Sequence, residues 1–189
     1  MENKNKNNVL RKRIGFLLVI GAAALAVAFV LGVALNTALG PAFGGIANAF
    51  ATAFVIGVAI VGVKTWYSPI VVWTVFGALA WPLTTMGPPG PHKIAIGLLA
   101  GGEVALFLIG AQNKTWRYAI AGAVMSILMT YLILVAMLQL NLSPESAAKL
   151  QEALKFLLPI YGFLGAAGMA AASSVYNRRL SRMSFFQTL

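Results

Sequence analysis

The 189-residue chain is 60% hydrophobic and 10% charged, with a formal net charge of +10. A soluble domain of this size cannot hide so much apolar side chain, so lipid is its main solvent. With no cysteine, disulfides, thiolate nucleophiles and sulfur-ligated metals are excluded. The basic residues gather at the ends of apolar stretches, which makes topology rather than nucleic acid the source of the charge.

Charged residues are missing from 14–63, 65–91, 118–144 and 156–177, and a hydrocarbon core of about 30 Å needs roughly 20 apolar residues in helix. No segment alternates as the strands of an outer-membrane barrel do. The fold class expected is all-α, a polytopic membrane protein. A first span covers 14–39, too long for a cleaved signal peptide and therefore read as retained. It follows a short basic tail, 1–13. Gly40-Pro41 breaks it, and a second span, 42–63, ends at Lys64 beside the interfacial pair Trp66 and Tyr67. The third, 69–83, is short and carries Pro82, which suggests a kink or tilt. It runs out into Met86-Gly87-Pro88-Pro89-Gly90-Pro91, which cannot continue as helix.

A fourth span covers 93–111 and a fifth 118–140. Ser143 then reads as an N-cap with Pro144 at the first helical position. In 144–155, Ala147, Leu150, Ala153 and Leu154 share one face while Glu145, Lys149, Glu152 and Lys155 stay wet, the pattern of an external helix lying on the membrane. The sixth span, 156–176, meets Arg178, Arg179 and Arg182 in a second basic tail, 177–189. Six crossings put Lys4, Lys6, Arg11, Lys12, Arg13, Lys64, Lys114, Arg117, Arg178, Arg179 and Arg182 on one side, and only Lys93, Lys149 and Lys155 on the other. The positive-inside bias then predicts cytoplasmic N- and C-termini and a multi-pass protein of the cell membrane. Residues 1–189 read as a single domain.

Of the charged residues only Glu103, in Gly101-Gly102-Glu103-Val104, lies deep in an expected span. A carboxylate at that depth is costly, so it serves a ligand or proton, or else bridges two helices by hydrogen bonds. In the loop before the fourth span, His92 and Lys93 with the helix-start amides offer groups for an anion or carbonyl; the loop alone favours a rigid turn with interfacial cations. One histidine without partners makes no metal site. The same outer half collects Asn36, Thr37, Asn48, Trp81, Thr84, Thr85, Tyr131, Gln139, Asn141 and Tyr161. Singly these are helix glue or interface markers, but their accumulation on one side suggests a pocket open to the outside. One buried Glu and one loop His cannot build a catalytic constellation, so no catalytic residue or cofactor is expected.

The first span carries small residues four apart: Ala22 and Ala26, Ala24 and Ala28, Ala28 and Gly32. Such spacing lines up one face that lets a second backbone approach, within the bundle or from a partner. The sixth span repeats the theme with Gly162, Gly165, Ala166, Gly168, Ala170 and Ala171.

Six helices in this length, cytoplasmic termini, a small-residue first helix and an outward polar half together resemble the substrate-binding subunit of an energy-coupling-factor transporter. The run Gly87-Pro88-Pro89-Gly90-Pro91-His92-Lys93-Ile94, with Gly97 and Gly101-Gly102, resembles the region between the third and fourth helices of some members. The resemblance implies capture of a vitamin or related micronutrient, with a transmembrane coupling subunit and cytoplasmic ATPase subunits as partners. The absence of a phosphate loop fits that division of labour. It also implies docking through alanines on the first helix, matched here by Ala22 and Ala26 or Ala24 and Ala28. Binding residues vary within the family, so the solute-site set Glu103, Asn48, Trp81, His92, Lys93, Tyr131 and Tyr161 rests on depth and side. The alternative is a non-catalytic structural or assembly subunit of a larger membrane complex, which would use the same small-residue faces.

Overall fold

Gly40 has φ +87°, a conformation open to glycine, and Pro41 behind it occupies the first position of a new helix. That pair ends α1 (Glu2–Leu39) and starts α2 (Pro41–Val63). Lys64 closes α2 in the left-handed region, its N–H bonding the Ile60 carbonyl, a position that glycine usually fills. α3 (Ser68–Leu83), α4 (Thr115–Leu138) and α5 (Pro144–Arg178) follow, then a 3₁₀ turn (Leu180–Arg182) and the short α6 (Ser184–Gln187). The computed structural model describes residues 2–83, 97, 101, 114–138 and 143–189. Among them there is no strand, as the all-α reading expects. The stretches Lys6–Ala38, Gly45–Val63 and Pro144–Arg182 are long and apolar enough to cross a membrane, and Ser68–Leu79 is a shorter apolar helix.

Three expected boundaries are corrected. The basic stretch 1–13 is no separate tail: from Glu2 it is part of α1, a helix of 38 residues, about 57 Å long and well beyond a hydrocarbon core. The segment 144–155 is likewise not a separate surface helix but the first three turns of α5, which runs 35 residues without a break. Its start is as expected, with Ser143 accepting the Ser146 N–H and Pro144 behind it. The helix continues because Leu150 to Leu158 are mostly strong helix formers, and Pro159 alone costs a backbone bond. Finally, the basic tail 177–189 is not separate from the last span. Asn177 and Arg178 complete α5, and the chain then turns back onto the bundle.

Among the described residues, α2 touches each of the four other long helices. Gly45, Gly57 and Gly62 of α2 stand beside Tyr161, Met169 and Tyr176 of α5 in that order, so these two helices run parallel. α4 runs antiparallel to α5: Thr115 bonds Ser173, while Ile127 lies against Gly162. Between these points Gly122 and Gly165 face each other so closely that a Cβ on either would overlap the other's carbonyl. α1 rests on α3 through Gly21, where a Cβ would stand 2.9 Å from Val75. Gly97 and Gly101 are helical and buried, and sit against Trp73 and Ile70 of α3 in descending order. The chain there runs antiparallel to α3.

The core gathers near the basic ends: Leu17, Ile56, Ile60, Val63, Val72, Trp73, Tyr118, Met125, Met169 and Tyr176 are buried together. Trp73 donates its indole N–H to the Met125 sulfur at 2.6 Å, which satisfies a polar group in an apolar layer.

Candidate solute site and partner face

α2 and α5 bring two of the expected site residues to one place. Asn48, half-buried on α2, turns toward α1, its Nδ2 being 3.6 Å from where a Cβ on Gly32 would stand. Thr52, one turn along α2, donates its hydroxyl to Asn48 Oδ1 at 3.0 Å. That leaves the two amide N–H groups of Asn48 as the donors it can offer. Tyr161, half-buried on α5, sets its hydroxyl 3.1 Å from the position a Gly45 Cβ would take. Gly45 and Asn48 are three residues apart and so neighbours on the helix surface. An amide and a phenol therefore reach the same end of α2, each against a glycine whose missing side chain lets it approach the helix.

Tyr131 belongs to the same end of the bundle, since Ile127 one turn earlier lies against Gly162. Its side chain is 48% exposed and turned away from the core. Trp81 is in the last turn of α3, and its side chain lies outside the described residues. Glu103, His92 and Lys93 also lie outside them. Thr52 is the residue the sequence reading missed, though its spacing of four from Asn48 was the available signal. The glycine cradles at Gly32 and Gly45 needed the tertiary packing of α1 and α5 to become visible.

On α1 the alanines divide. Ala24 is fully buried and Ala28 nearly so, at 0% and 9% exposure, both inside the bundle. Ala22 and Ala26 are exposed, with Val19, Phe29, Val30 and Val33 continuing their face. The expectation that either pair could meet a partner is thus corrected for Ala24 and Ala28, whose surface is spent on internal packing. The outward stripe from Val19 to Val33 is the face α1 offers to lipid or protein.

Comparison with protein-family models, curated proteins and solved structures finds no match to this chain.

Proposed function

We propose that the protein is the membrane-embedded solute-binding subunit of an energy-coupling-factor type importer, with six crossings and cytoplasmic termini, taking a vitamin or related micronutrient from outside. The observation that carries this reading is that Asn48 and Tyr161 stand at the same end of α2, at glycine contacts with α1 and α5 respectively, away from the basic cluster. In support of six crossings, α3 and α4 both run away from the basic end, and Gly97 and Gly101 run back along α3 between them. On this reading the solute contacts residues among Glu103, Asn48, Trp81, His92, Lys93, Tyr131 and Tyr161. The outward face with Ala22 and Ala26 docks the transmembrane coupling subunit, and cytoplasmic ATPase subunits supply the energy. An ionisable group near mid-membrane costs at least about 2.5 kcal/mol on insertion scales, which favours a task for Glu103.

The test is mass spectrometry of small molecules extracted from the purified protein, followed by calorimetry with the compound found. Glu103→Gln removes the charge and keeps the shape, so it weakens a cationic solute strongly and a neutral one modestly. A protein that carries no solute, with unchanged affinity for every candidate in the variant, contradicts the proposal. One observation favours a second reading, a non-catalytic assembly subunit: Asn48 Oδ1 is already engaged by Thr52 within the bundle. On that reading Ala26→Leu abolishes assembly and no solute is recovered.

A further inference from the structure

The C-terminal segment is held on the basic end of the bundle by an aromatic cluster. Phe16 of α1 meets Phe185 and Phe186 edge-on at 5.4 and 5.6 Å between ring centres, and Tyr176 of α5 meets Phe186 at 5.5 Å. Phe186 also covers Gly62 of α2, where a Cβ would stand 3.0 Å from its ring. Leu189 is buried, and its main-chain oxygen accepts a hydrogen bond from Arg13 Nε. The segment thus ties α1, α2 and α5 together.

Several cations stand next to the tied residues. Lys64 lies over the Tyr176 ring, its Nζ 5.2 Å from the centroid. Arg178 and Arg179 follow Tyr176 by two and three residues, Arg182 ends the 3₁₀ turn, and Lys12 precedes Phe16 by one helical turn. All five are exposed. The chain has only four acids. Glu145 and Glu152 stand in the first three turns of α5, at the other end of a helix about 50 Å long. Glu2 is ten residues before Lys12 on α1, and Glu103 is outside the described residues. Among the described residues no ion pair joins an acidic side chain to Lys64, Arg178, Arg179 or Arg182, which leaves them able to take a counter-charge from another molecule. Trp66 and Trp116, 61% and 56% exposed, flank the same end and mark the depth of lipid headgroups. The anion available at that depth is the phosphate of an acidic phospholipid.

We propose that Lys64, Arg178, Arg179 and Arg182, gathered by the Ser184–Leu189 strap, bind the headgroup of an anionic phospholipid. Two or three cations from separate elements surround one phosphodiester, arginine offering paired N–H donors to its oxygens. The acyl chains lie along the apolar helix surfaces below. This inference needs only that the protein sits in a membrane, not that it binds a solute.

Native mass spectrometry of the full chain, titrated with phosphatidylglycerol or phosphatidylcholine of matched chains, tests it. The wild-type protein should prefer phosphatidylglycerol. The exposed triple substitution Arg178→Gln/Arg179→Gln/Arg182→Gln should weaken it about a hundredfold, at roughly fivefold for each cation. Lys64→Gln should lose about fivefold, and Lys149→Gln/Lys155→Gln, at the opposite end, should lose nothing. Equal affinity of the wild-type protein for both lipids overturns the proposal, as does full phosphatidylglycerol preference in the triple variant or in Lys64→Gln. Displacement of the lipid by millimolar inorganic phosphate would make the cluster a free-anion site and also overturn it. If the triple variant does not fold, the wild-type preference and Lys64→Gln decide.

Discussion

At the basic end of the bundle Leu17, Ile60, Val63, Val72, Tyr118 and Tyr176 are buried and Phe186 closes over Gly62, whereas at the other end Phe29, Val33, Ile46, Tyr131 and Ile160 are exposed. Both sets are large apolar side chains, so hydrophobicity alone does not distinguish them. What differs is partnership: the first set meets protein, and the second faces outward. Stability concentrated at one end would let the other open around a solute, as the proposed function requires, without unfolding the protein.

Substitutions that attack the close-packed half should have the largest effects. Gly165→Val drives a branched side chain into Ser126 and the Gly122 carbonyl, and should cost more than about 3 kcal/mol, beyond ordinary overpacking because backbone cannot yield. The check is loss of the folded peak on size-exclusion chromatography in detergent. Met125→Ala, at a residue 1% exposed that also receives the Trp73 N–H, should cost about 2–4 kcal/mol by opening a cavity. Thermal unfolding in detergent reads it, and a shift no larger than that of an exposed substitution would move the core elsewhere.

The α1 alanines sharpen the comparison, because neighbouring positions should behave in opposite ways. Ala24→Leu, fully buried, should destabilise the isolated protein by about 1–3 kcal/mol. Ala26→Leu, on the exposed stripe, should change stability by less than about 0.5 kcal/mol but abolish co-purification of a membrane partner. Smallest of all, Gly32→Ala places its Cβ in ordinary contact, 3.6 Å from Asn48 Nδ2. It should be neutral or stabilise by up to about 1 kcal/mol through helix propensity. Marked destabilisation there would mean that the Asn48 end is as tightly packed as the basic end.

The sequence made the apolar helices legible because uninterrupted uncharged runs, Gly40-Pro41 and the Ser143-Pro144 cap are local signals. It could not tell that α1 begins at Glu2 or that α5 absorbs 144–155, since helix-forming residues lead into both spans without a breaker. The direction in which an alanine faces was equally hidden: Ala22 and Ala24 are indistinguishable by composition, and only packing against α2 and α3 separates them. Of the expected site residues, Asn48 and Tyr161 were singled out by depth and side, and that both stand at one end of α2 depends on α2 and α5 running in parallel, a tertiary fact. Phe185 and Phe186 carried a signal that was passed over, two aromatics inside a basic tail, which have little reason to be there unless something covers them.

The most direct test of the account uses the absence of cysteine, which makes single introduced thiols unambiguous. Asn48→Cys and Tyr161→Cys should react with a membrane-impermeant thiol reagent added outside intact cells, and bound solute should slow that reaction. Lys64→Cys should react only when the reagent is admitted to the cytoplasm. Labelling of Asn48→Cys and Tyr161→Cys from the cytoplasmic side alone, or from neither side, would contradict an outward-opening solute site.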